Sequence, residues 1–142
     1  MCNFKTVAMK YDISEIEVDS VYIDPDFIVS ELNPVNEHTT FNPFPYANEN
    51  KDLFKLVLNW QATIKIIDSD FIIADIKAEQ EFKILFDGNN DKECLKNLIS
   101  TSYLHLQDKF TEATNNSSLD GYRLLSFDDD KAAEGIMSSL DR

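Results

Sequence analysis

Glycine is scarce in this chain, with three in 142 residues. Loops that cradle phosphate groups need glycines in series, so a P-loop or a dinucleotide-binding turn is excluded. No Gly-x-Ser-x-Gly nucleophile pattern is present either. Histidine and cysteine are just as sparse: His38, His105, Cys2 and Cys94. Zinc sites are built from closely spaced ligand pairs, and these four residues form none, so no His/Cys metal site is expected. Two cysteines far apart in sequence do not make a disulfide framework. Cys94 falls within an amphipathic pattern and reads as a small buried apolar residue.

Long apolar runs are missing too. Met1 to Lys10 lacks the apolar core of a signal peptide, and no run approaches a transmembrane helix, so Cys2 is not read as a lipoprotein cysteine. The expected setting is the reducing cytoplasm. Positive charge is in the minority, 13 basic against 26 acidic residues, for a net charge of −13 and a pI near 4.4. Such a surface repels phosphate backbones and anionic lipid, which argues against nucleic acid and membrane partners and in favour of a basic protein.

What the chain does have is alternation. From Phe54 the even positions read Phe54, Leu56, Leu58, Trp60, Ala62, Ile64 and Ile66, with Lys55, Asn59, Gln61, Thr63 and Lys65 between them. After Asp68-Ser69-Asp70 the pattern resumes with Ile72, Ala74, Ile76, Ala78, Phe82, Ile84 and Phe86, against Asp75, Lys77, Glu79, Glu81 and Lys83. Successive side chains of a strand point to opposite faces, so the spacing predicts two long strands in an antiparallel hairpin over Leu53–Phe86. Ala74 to Lys83 is also rich in helix formers, but its charges alternate singly, which favours the strand. Gln80 breaks the apolar face.

Val7, Met9, Tyr11 and Ile13 alternate with polar residues, and the phase then slips across Ser14-Glu15 to Ile16 and Val18. That predicts a bent strand over Phe4–Val18 carrying a β-bulge. Asn33 to Asp52 holds Pro34, Pro43 and Pro45 with Phe41, Phe44 and Tyr46, and reads as a long irregular connection whose aromatics fold back onto the sheet. Past a turn at Asp87-Gly88-Asn89, Asn90 and Glu93 fit a capping box. Leu95, Leu98, Ile99, Leu106, Phe110 and Ala113 then describe a long amphipathic helix to about Thr114. Tyr122 to Phe127 is an extended link, and Ala132, Ala133, Ile136, Met137 and Leu140 stripe a second helix. Asp128-Asp129-Asp130 at its start suits capping and the helix dipole rather than magnesium. The expected architecture is a single α+β domain over residues 1–142: an antiparallel sheet of three or four strands with the long helix and the C-terminal helix packed on one face. No catalytic, cofactor-binding or metal-binding residue is assigned, and an enzyme is not expected.

Thr40-Phe41-Asn42-Pro43 before the hairpin, Phe54-Lys55-Leu56-Val57-Leu58 leading its first strand, Ala78-Glu79-Gln80-Glu81-Phe82 on its partner, and Tyr122 to Asp128 before the last helix together resemble the shorter, divergent SecB-like protein-export chaperones. The order of elements resembles that family over almost the whole chain. Ser102-Tyr103-Leu104-His105 has no proline where the family carries a Phe-Pro-Tyr turn. The resemblance implies a homotetramer, a dimer of dimers, with apolar grooves that hold unfolded polypeptide. It implies service in protein export, with the ATPase SecA as a candidate partner, or in a toxin–antitoxin system.

A binder of unfolded chains needs exposed apolar surface with an acidic rim. Phe41, Phe44, Tyr46, Phe54 and Trp60 are the expected client-binding residues; core packing is the competing assignment, most strongly for Trp60. The function expected is an ATP-independent holdase. Two other readings stand beside it: a small acidic immunity-protein-like or antitoxin-like inhibitor of one basic folded protein, and a small-molecule or enzymatic α+β domain with a pocket between helix and sheet.

Overall fold

The computed structural model describes residues 11–24, 35–47, 53–85, 91–117 and 119–140. Among them run β1 (Tyr11–Ile13), β2 (Glu17–Ile23), β3 (Val35–Ala47), β4 (Leu53–Ile66), β5 (Ile72–Leu85), α1 (Asp91–Thr114) and α2 (Asp129–Leu140). β4 and β5 are the expected hairpin, paired antiparallel from Leu53 opposite Leu85 to Lys65 opposite Ile72. Alternation is the cause: Leu56, Leu58, Trp60, Ala62 and Ile64 are buried on one face while Lys55 on the other is exposed. Asp68 takes the left-handed conformation the tight turn demands (φ 60°), and the Ser69 hydroxyl accepts the Phe71 N–H at 3.0 Å. The register shifts beside Lys65, so that Ile73 is the extra residue. That bulge buries Ile73 and turns Ile72, expected on the apolar face, outward.

β1 and β2 lie end to end along the outer edge of β5, giving the sheet four strand positions in the order β1/β2, β5, β4, β3, all antiparallel. The phase slip in the sequence is real. Ile13 opposes Phe82 and Glu17 opposes Glu79, so three residues, 14 to 16, face two. Ser14 holds the bend, its N–H and hydroxyl both donating to the Glu81 carbonyl at 3.0 and 2.9 Å. Ile16 is thereby turned into the core. The part of this expected strand before Tyr11 lies outside the described residues, as do the turn at Asp87–Asn89 and the cap at Asn90.

Gln80, the polar break in the alternation, is buried with its neighbours and is used. Its Nε2 donates to the Ser14 carbonyl at 2.9 Å and lies 2.9 Å from His105 Nδ1, tying the bend and α1 to β5.

The expected irregular crossover is corrected. Val35–Ala47 is a 13-residue strand, paired without interruption to β4 from Val35 opposite Ile66 to Ala47 opposite Phe54. Proline is tolerated in a sheet where its missing donor faces away from the neighbouring strand, and β3 has a partner on one side only among the described residues. Pro43 and Pro45 are two apart, so one alternation accommodates both.

Both helices cover the face that carries Trp60. α1 buries Leu95, Leu98, Ile99, Leu106 and Phe110 as its spacing predicts, together with Cys94, Ser102 and Tyr103. Without a proline at Ser102–His105 the helix runs unbroken for 24 residues. Cys94 is buried in the core as expected, and it is not a free thiol. α2 contributes Ala133 and Ile136 to the same core, with Ala132 and Met137 packed against it.

Candidate functional site

α2 is delivered to its place by the extended link. Leu119 and Leu124 are buried, and Gly121 makes the turn between them at φ 83°. Phe127 then inserts its ring among Trp60, Phe41 and Tyr103, with centroid distances of 4.9, 5.4 and 5.5 Å. Asp128 is the N-cap of α2, its Oδ1 accepting the Lys131 N–H at 3.0 Å. Lys92 of α1 reaches Glu134 and Asp130 of α2 at 2.9 and 3.4 Å. These exposed ion pairs contribute little on their own.

So placed, α2 does not close down on the edge strand. Between them runs a groove of about 240 Å³, lined by Phe41, Pro43 and Pro45 of β3 and by Ala132, Gly135, Ile136 and Ser139 of α2. Among the described lining residues Ser139 has the one polar side chain. The space beside Gly135 is open: a Cβ built there would meet no atom within 4 Å. An open apolar groove on a chain of net charge −13 can take up apolar side chains of another polypeptide.

The five residues singled out from sequence are divided by the pleat of β3 and β4. Phe41 is half-buried on the groove floor, 4.7 Å from the Trp60 ring. Trp60 itself is 2% exposed, with its indole N–H donating to the Ser102 hydroxyl at 2.8 Å. Phe44 and Tyr46, opposite Val57 and Lys55, point to the other face of the sheet and are 48% and 57% exposed. Lys55 Nζ lies 5.9 Å from the Tyr46 ring centroid. Phe54 pairs with Ala47 and Ile84, and its side chain lies outside the described atoms. Pro43, Pro45 and Gly135 were missed as groove residues. The period-two run Phe41, Pro43, Pro45 was visible, but prolines masked the strand that gives it meaning.

The open sheet face is not uniformly acidic. Across β4 and β5 it carries Lys55, Lys65, Lys77 and Lys83 beside Asp75, Glu79 and Glu81. Asp75 is internally engaged, accepting from Gln61 and Thr63 at 2.9 and 2.7 Å.

One carboxylate on the groove face of β3 stands out. Glu37 accepts the Leu125 backbone N–H with both oxygens, at 3.0 and 2.9 Å, and the Tyr122 hydroxyl at 3.0 Å. Tyr103 completes the cluster by donating to the Leu125 carbonyl. Burial, with the Glu37 charge added, pushes both phenols up to about 12. Among the described residues no three His, Cys, Asp or Glu side chains are gathered as metal ligands would be, and no helix is long and apolar enough to cross a membrane.

An antiparallel sheet of four strand positions, its outer first strand beside the last, with a long helix and a C-terminal helix on one face, defines an α+β fold. No protein-family model and no curated protein sequence matches the chain. Among solved structures it is similar to the SecB-like chaperone Rv1957 of Mycobacterium tuberculosis, in complex with a ChAD peptide from the HigA1 antitoxin. The TM-score is 0.56 at 11% identity, covering 86% of this chain and 94% of that one. The fold of this protein is SecB-like.

Proposed function

We propose that this protein is an ATP-independent holdase, and that the groove between β3 and α2 receives apolar side chains of unfolded or partly folded polypeptide. The observation that carries the reading is the groove itself: a lining of Phe41, Pro43, Pro45, Ala132, Gly135 and Ile136 that no other described residue covers, on a strongly acidic molecule. The M. tuberculosis chaperone of similar fold holds a peptide of an antitoxin, which supports polypeptide as the ligand class and favours a toxin–antitoxin role over export. Phe41 serves as groove floor, Trp60 supports it from beneath, and Phe44 and Tyr46 offer a second apolar contact on the far face; Phe54, at the start of β4, is a further candidate for client contact. The chain acts as one domain in a cytoplasmic homotetramer. In the export alternative the ATPase SecA is the candidate partner.

The experiment is the light-scattering mass of the purified protein, alone and with a permanently unfolded chain such as reduced, carboxymethylated α-lactalbumin. A mass of about four protomers that rises on mixing supports the holdase and the tetramer. A monomer that ignores the unfolded chain overturns both, and directs attention to the inhibitor reading, in which one basic folded protein is bound.

A further inference from the structure

The groove has one wall built into the sheet and one wall, α2, that reaches the sheet through the link. α2 is packed on the core through Ala133 and Ile136, and the point at which it enters that packing is set by whatever fixes the link to β3. Side chains account for only part of that attachment, since Leu124 and Phe127 are packed but Leu125 between them is 63% exposed. The Leu125 backbone is instead held at both of its polar groups. Its N–H is bound by the two Glu37 oxygens of β3 and its carbonyl by the Tyr103 hydroxyl of α1. Tyr122 adds its hydroxyl to Glu37 Oε1, and Gln107 Nε2 donates to the neighbouring Leu124 carbonyl at 3.2 Å. Glu37 sits in the same alternating row of β3 as Phe41, Pro43 and Pro45, the row that floors the groove.

We propose that Glu37 is the positioning residue of the groove: by clamping the Leu125 peptide and the Tyr122 hydroxyl to β3, its carboxylate fixes the link and thereby the distance of the α2 wall from Phe41, Pro43 and Pro45. This rests on the groove as the polypeptide site, but the clamp itself can be read without any client. The reporter is intrinsic. Trp60 is the only tryptophan, and Phe127 of the link packs 4.9 Å from it.

The test is Glu37→Gln, which keeps the shape but replaces one acceptor oxygen by a donor, with Tyr122→Phe as the milder variant. Hydrogen exchange at Leu125 to Phe127 and the first turn of α2 is expected to quicken about tenfold in Glu37→Gln, the equivalent of one lost charge-assisted hydrogen bond. Trp60 emission should shift to the red, while exchange in β4 and β5 stays unchanged. Tyr122→Phe should move the same amides by a smaller factor. Affinity for carboxymethylated α-lactalbumin should fall about fivefold in Glu37→Gln, because a wall no longer held must be ordered on binding. Unchanged link exchange and Trp60 emission in both variants would overturn the clamp. So would faster exchange spread evenly over sheet and link, the mark of a residue that only supports the fold. If the wild-type protein ignores the unfolded chain, the holdase reading fails, while the clamp still stands or falls on exchange and emission.

Discussion

The indole N–H of Trp60 donates to the Ser102 hydroxyl at 2.8 Å, joining the middle of β4 to the middle of α1 inside the core. A buried indole without a partner is costly, and here the partner is a serine in the interior of a helix whose other inward residues are mostly apolar. Ser102→Ala is expected to leave that N–H unsatisfied and to lower stability by about 1–3 kcal/mol in chemical denaturation. Trp60→Ala should cost about 3–5 kcal/mol, since Phe41, Tyr103 and Phe127 lose a common neighbour. A change of less than 0.5 kcal/mol in both, well under the roughly 1 kcal/mol typical of a single hydrogen bond, would mean that the α1–β4 contact is not where the described core is held.

Gly135 separates groove occupancy from folding. Gly135→Ala places a methyl in open space and should stabilise α2 by up to about 1 kcal/mol through helix propensity alone. Gly135→Trp should fill the groove beside Pro43 and Pro45. Its thermal midpoint should stay within a few degrees of wild type while capture of a carboxymethylated chain is lost. Undiminished capture by Gly135→Trp would remove the groove from the binding mechanism.

Phe44 and Tyr46 are expected to be nearly free of structural duty. With about half of each side chain in solvent, Phe44→Ser and Tyr46→Ser should each change stability by about 0.5 kcal/mol or less in urea titration. Any loss of unfolded-chain binding in these variants would then report contact on the far face of β3.

Asp128 caps α2 with a single hydrogen bond from the Lys131 N–H. Asp128→Ala is expected to cost about 1 kcal/mol, and Asp128→Asn little, by thermal denaturation. Equal loss in both variants would assign the effect to charge at the helix start rather than to the cap.

Alkaline stability follows from the phenols. Tyr103 and Tyr122 titrate near 12 in the folded protein against 10 in a free side chain. Between those values the unfolded chain has released protons that the folded chain keeps, so stability is full below pH 10 and falls as pH rises toward 12. Denaturant midpoints measured over that range should decline, and the decline should flatten in Tyr122→Phe. An unchanged slope in that variant would place the sensitivity elsewhere.

Sequence alone determined the parts of the fold that follow from local pattern. Leu53–Ile66 and Ile72–Leu85 declare themselves because period-two alternation over 14 residues has one inexpensive solution, a strand with one dry face. The bend at Ser14–Ile16 was legible as a phase slip, and the two helices as stripes at three- and four-residue steps. Three things needed the tertiary structure. Pro43 and Pro45 argue locally against a strand, and only the position of β3 at the sheet edge makes them acceptable. The split of Phe41 and Trp60 from Phe44 and Tyr46 depends on that same strand, because the pleat assigns faces only once a strand exists. The groove itself joins residues 41–45 to residues 132–139, nearly a hundred positions apart, and no periodicity within either stretch carries their separation in space. That separation depends on the packing of Ala133 and Ile136 in the core and on how the link is seated on β3, where one carboxylate, Glu37, meets the backbone of Leu125.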